Sequence, residues 1–99
     1  MSQYPAIEEI AHAAEEIGDA VVETPVWQWD TPEITAAVGK GTEVLLKLEL
    51  FQRTGTFKAR GALVNALRLG VEQRRRGITA VSAGNHAIAA AWAASVVGV

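Results

Sequence analysis

The chain has 99 residues, enough for one small domain at most or for a piece of something larger. Nine basic and eleven acidic side chains leave a formal charge of −2. That balance argues against a nucleic-acid or anionic-membrane binder, which carries a basic excess. Apolar residues at 49% and charged residues at 20% describe a core-forming chain, not a disordered one. The absence of cysteine removes disulfides, thiolate metal sites and a thiol nucleophile together. Met1-Ser2-Gln3-Tyr4-Pro5 has no basic or apolar stretch behind it, so no leader is expected. The longest apolar run, Ala87 to Val99, is broken by Ser95 and falls short of the roughly 20 residues of a membrane span. A reducing, cytoplasmic setting is the expectation.

In chain order, Ile7, Ile10, Ala14, Ile17 and Val21 recur at spacings of three and four, while Glu8, Glu9, Glu15 and Glu16 fall on other faces. This predicts an amphipathic helix with Pro5 in its first turn and Gly18 as its stop. Thr24-Pro25-Val26 is expected to be extended, because a proline pushes the preceding residue out of the helical region. Thr31 as cap, Pro32 at the first helical position and Glu33 beside the positive end predict a short helix to about Val38, stopped by Gly39.

Val44 to Leu48 reads as a strand buried on both faces. The polar stretch Gln52 to Thr56 then leads through Phe57 into a helix apolar on several sides, with Ala62, Leu63, Val64, Ala66, Leu67 and Leu69, hence a buried one. After Gly70, Arg74-Arg75-Arg76-Gly77 reads as a solvated basic turn and Ile78 to Val81 as another short strand. Ser82-Ala83-Gly84-Asn85 turns into an alanine-rich helix, His86 to Val97, ended by Gly98. Strands alternating with helices predict an α/β protein, and pattern alone joins the two strands in one sheet by a right-handed crossover. Two-sided strands and a buried helix need more layers than a chain of this size supplies. The expectation is therefore the amino-terminal part of a longer protein.

Two turns carry candidate chemistry. Lys58 follows Thr54-Gly55-Thr56-Phe57 in the first turn of a helix, where the helix dipole disfavours a cation. That field, with burial against Phe57, would favour a neutral, nucleophilic amine. The alternative is a lysine that snorkels to water beside Arg60. Ser82-Ala83-Gly84-Asn85-His86 lies between a strand end and a helix start, where free N–H groups suit a carboxylate or phosphate. There the alternative is that Ser82 or Asn85 is only a helix cap. Trp27, Trp29 and Trp92 read as core or interface residues, and His12 as packing or surface. With two histidines and no cysteine, no metal site is expected.

Lys47-Leu48-Glu49, the run from Gln52 to Ala62 and Ser82-Ala83-Gly84-Asn85-His86-Ala87 resemble, in order and separation, the signature blocks of the threonine ammonia-lyase and serine racemase family. The Thr24-Pro25 element fits as well. These are pyridoxal-phosphate enzymes of the tryptophan-synthase-β-like fold, two α/β domains with open twisted sheets covered by helices. The resemblance spans nearly the whole chain but only about the first third of a family member. It implies that residues 1–76 begin the large domain, that 77–99 begin the small one, and that the cofactor sits in the cleft between them.

By position, Lys58 resembles the lysine that holds the cofactor covalently and later moves the α-proton, and Phe57 the residue beside the cofactor ring. Asn85 resembles the asparagine that hydrogen-bonds the ring's phenolic oxygen. Ser82, Ala83, Gly84, Asn85 and His86 resemble the loop that binds the substrate carboxylate. Thr56 stands where the family usually has serine. Ala83 stands where racemases carry a serine as second acid/base, and a racemase needs proton donors on both faces of the α-carbon, whereas an eliminating lyase works with one.

The expected function is thus a pyridoxal-phosphate-dependent ammonia-lyase acting on a small hydroxy amino acid such as threonine or serine, homo-oligomeric as the complete protein, with no nucleic-acid or membrane partner. Racemisation or β-replacement is the alternative within the cofactor class, and a non-catalytic α/β interaction module the alternative outside it. The family's glycine-rich phosphate cradle would lie beyond Val99, so these 99 residues alone are expected to turn over negligibly.

Overall fold

A computed structural model describes residues 3–99. Helix α1 is Ile7–Ile17, strand β1 Val26–Gln28, helix α2 Pro32–Val38 and strand β2 Leu45–Lys47. Helices α3, α4 and α5 are Lys58–Leu67, Val71–Arg76 and Asn85–Val97, and single 3₁₀ turns occupy Gly18–Ala20, Glu49–Phe51 and Arg53–Gly55.

The local signals act largely as expected. Pro5 lies just outside α1 rather than in its first turn; Ala6 caps the helix, and its N–H donates to Glu9 Oε2 at 2.7 Å. Gly18 ends α1 with φ 42°. Thr31 Oγ1 accepts from the Ile34 N–H at the start of α2, with Pro32 as its first residue. Gly98 closes α5 in the left-handed region, φ 76°, which only glycine enters without strain.

β1 and β2 form an antiparallel pair with Val26 opposite Lys47, Trp27 opposite Leu46 and Gln28 opposite Leu45. The strand expected over Val44 to Leu48 exists, but the burial expected on both its faces does not: Leu45 and Lys47 are exposed and Leu46 half-buried. A two-stranded ribbon has no second layer to cover it. Ile78 to Val81 is not a strand; it finds no ladder partner among the described residues, and its side chains are exposed. The crossover sheet is therefore absent.

The expected basic turn is helix α4. Gly70 N–H donates to Gln73 Oε1 at 2.8 Å, Glu72 sits in the first turn, and Arg74, Arg75 and Arg76 occupy the last, where the dipole favours cations. Arg74 is no solvated residue either: its guanidinium donates to the Leu69 and Leu67 carbonyls at 3.2 and 3.1 Å, satisfying the end of α3.

The core sits where α3, α5 and α1 meet. Ala59, Leu63 and Ala66 form one buried stripe of α3, and Ala89 and Ala93 face it from α5. Ile17 closes the cluster from α1, with Trp92, Val97 and Val21 packed against it. The small residues let the two helices approach closely, and Leu63, with no exposed surface, fills the space between them. Burial of α3 is confined to this stripe, since Gly61, Asn65 and Arg68 are exposed. The radius of gyration is 17.1 Å, against about 13 Å for a compact domain of this length. Trp27 and Trp29 stack on the exposed ribbon with ring centroids 6.4 Å apart.

Candidate active site

Lys58 is the first residue of α3, and its approach is held by buried polar side chains. Gln52, 4% exposed, pairs with the backbone of Val22 in both directions: Val22 N–H donates to Gln52 Oε1 and Gln52 Nε2 donates to the Val22 carbonyl, each at 2.8 Å. The Arg53 N–H shares that Oε1 at 2.9 Å, and the Gly55 N–H donates to the Gln52 carbonyl at 2.8 Å. Between them Thr54 takes φ 66°, the one non-glycine residue with positive φ among the described residues. A β-branched residue there is strained by about 1–2 kcal/mol, and its buried hydroxyl has no partner. The surrounding hydrogen bonds hold that turn.

A second anchor lies on the other side. Arg60 donates from Nε to Glu49 Oε2 at 2.7 Å and from Nη2 to Glu49 Oε1 at 2.8 Å. The hydroxyl of buried Thr24 donates to the same Oε1, and Lys47 Nζ donates to the Thr24 carbonyl at 2.6 Å. The Arg60 guanidinium, helped by Thr24 and working against burial, pulls the Glu49 carboxyl down to about 2. These residues stood in the sequence blocks, but their joint role was not visible there, since contacts 11 and 25 residues apart leave no periodic trace.

The expected burial of Lys58 against Phe57 is absent. Phe57 is 62% exposed, and Lys58 Nζ lies over its ring, 5.6 Å from the centroid, with the side chain open to solvent. Both line a cleft of about 480 Å³ that also takes in Asn65, Ile78 and His86. The cleft thus brings part of each candidate turn together. Asn85 opens α5 and is exposed, and Ser82 and Ala83 are exposed on the approach to it. Gly84 caps α5 without any side-chain hydrogen bond, and its own N–H donates to Ser82 Oγ at 3.1 Å. Neither Ser82 nor Asn85 caps this helix, so its first N–H groups remain available to an anion.

A primary amine, a flat ring beside it and an uncapped helix start form a donor set that fits a pyridoxal-phosphate-like aldehyde and a carboxylate. Among the described residues no group of three or more His, Cys, Asp or Glu could hold a metal ion, and no helix is long and apolar enough to cross a membrane.

Comparison with known proteins gives a family match over residues 17–99, described as pyridoxal-phosphate dependent enzyme. The chain is 58% identical over 59 residues to phenylserine dehydratase of Ralstonia pickettii, covering 60% of this chain and 18% of that protein. It is 49% identical over 59 residues to L-threonine ammonia-lyase of Thermotoga maritima, covering 60% and 15%. The structure of maize serine racemase superposes with a TM-score of 0.80 at 39% identity, covering 97% of this chain and 29% of that one. The chain spans less than a third of the length of each of these relatives.

Proposed function

This chain belongs to the pyridoxal-phosphate dependent enzyme family, and from that premise we propose that it contributes the lysine and the carboxylate-binding turn of an ammonia-lyase. The reaction is loss of the β-hydroxyl from a threonine- or serine-like amino acid, giving a 2-oxo acid and ammonia. The observation that carries this reading is the shared cleft, with Phe57 and Lys58 on one wall and His86 on another. The dehydratase and ammonia-lyase named among the relatives support the reaction class.

In this reading Lys58 holds the cofactor on its amine and, once released, takes the α-proton of the substrate. Phe57 lies against the cofactor ring and Asn85 offers its amide to the phenolic oxygen. Ser82, Ala83, Gly84, Asn85 and His86 hold the substrate carboxylate, the N–H groups of α5 supplying the donors and its dipole the field. When bound, pyridoxal phosphate supplies an electron-accepting ring that stabilises the charge left on the α-carbon. Racemisation, the activity named for the maize relative, needs a second acid/base, and Ala83 has only a methyl group to offer.

Residues 1–76 are proposed to begin a large domain and 77–99 a small one. The unpaired stretch after Gly77 supports a boundary there. Uncovered apolar side chains such as Ile7, Val26 and Leu45 support further layers or a second copy against those faces in a homo-oligomer. The cysteine-free composition suits a cytoplasmic enzyme.

The test is absorbance. The complete protein incubated with pyridoxal phosphate is expected to gain a visible band that Lys58→Ala abolishes, and an unchanged band in the variant removes the enzyme reading in favour of a non-catalytic module. Product analysis is expected to show 2-oxo acid in excess; predominant D-amino acid would overturn the inference from Ala83.

A further inference from the structure

We propose that Glu49 is a positioning residue for Lys58: its two-point ion pair with Arg60 fixes the rotation of the first turn of α3 and keeps the amine turned into the cleft. The inference rests on the reading of Lys58 as the cofactor lysine.

Arg60 lies two residues beyond Lys58, roughly 200° around the helix axis. The two side chains therefore leave α3 on nearly opposite sides, so tying one down aims the other. The tie is the paired Nε and Nη2 contact to the two Glu49 oxygens at 2.7 and 2.8 Å. A planar fork of this kind restrains direction as well as distance. Glu49 is itself immobilised by the hydroxyl of Thr24, a residue only 3% exposed. A continuous chain of contacts thus runs from Thr24, just before β1, to the first turn of α3. The Lys58 side chain is a flexible four-carbon stem and is exposed, so precision has to come from the backbone that carries it. Displacement of a reacting group by about 1 Å costs on the order of 100-fold in rate.

The same helix carries its own control. Arg68, just past the last residue of α3, pairs with Glu16 of α1 at 2.6 Å, and neither side chain lines the cleft. In the complete, cofactor-loaded protein, Glu49→Gln is expected to lower kcat by about 10- to 100-fold with KM changed far less. It should also weaken the visible circular dichroism, which reports the orientation of the bound chromophore, while the absorbance band persists. Glu16→Gln is expected to leave both signals unchanged.

Glu49→Gln that melts earlier yet keeps full kcat and dichroism would make Glu49 a stabilising residue only and overturn the proposal. If Glu49→Gln does not fold, Arg60→Lys retains charge without the fork and is expected to show the same kcat and dichroism losses to a smaller extent; unchanged values would likewise overturn it. Lys58→Ala separates the two readings, because a band surviving in that variant removes the active-site assignment itself, whatever Glu49 does.

Discussion

On the approach to Lys58 the chain is tied by side-chain hydrogen bonds, from Gln52 to the Val22 backbone, between Glu49 and Arg60 and between Thr24 and Glu49. On the approach to His86 the chain runs from Gly77 to Gly84 with the Ser82 hydroxyl bond to Gly84 as its one side-chain tether among the described residues, and Val81 is fully exposed. Both stretches reach one cleft. In the proposed reading the contrast separates two physical tasks. A covalent anchor gains from a rigid mount, because positional error in a reacting group is costly. A turn that closes on a substrate carboxylate gains from low local stability, since binding elements that move belong to the least protected part of a fold.

Four measurements on the complete protein would break or sharpen that contrast. The largest effect is expected from Gln52→Leu, which leaves the Val22 N–H and carbonyl and the Arg53 N–H without their partners. A loss of about 3 kcal/mol in denaturant unfolding is the expectation, from unsatisfied buried groups at 1–3 kcal/mol each. Next comes Thr24→Val, which removes a hydroxyl donor to a charged acceptor while keeping the shape; about 1.5–3 kcal/mol is expected in the same assay.

The third is an acid titration of stability. Arg60 holds the Glu49 carboxyl at about 2, below its ordinary 4.5. The folded state thus binds this proton more weakly than the unfolded chain does. The stabilisation from Glu49 is fully present above pH 4.5 and is lost as pH falls towards 2. Glu49→Gln is expected to flatten that limb of the melting-temperature curve; an identical limb would show that the pair contributes nothing there. The smallest effect is Ser82→Ala, within about 0.5 kcal/mol because the site is exposed. Hydrogen exchange frames all four: amides of 45–55 are expected to be protected and those of 78–83 to exchange near the unprotected rate. Equal protection of the two stretches would remove the contrast.

Legibility differed by the kind of signal. Helix ends written in local chemistry, such as Thr31-Pro32 and Gly98, were readable because capping acts over three or four residues. Helix α4 lies outside the sequence expectation although Glu72, three arginines and Gly77 mark its two ends, because a run of like charges suits a solvated turn as well as a helix C-terminus. The strand expected over Ile78 to Val81 has the right composition and no partner among the described residues. The two candidate turns could be picked out from type and spacing, whereas the exposure of Phe57 and the clamp around Glu49 could not.

By itself the sequence determined where α1, α2, α3 and α5 lie to within a residue or two, that Lys58 stands in the first turn of one and Asn85 beside the start of another, and which family blocks surround them, because these depend on neighbours along the chain. Only the tertiary structure decided which strands pair, how much of each apolar face is covered, and that Thr24, Glu49 and Arg60 act as one unit behind Lys58. Pairing and burial are set by contacts between residues far apart in sequence, and such contacts acquire an energy only once the chain has brought them together.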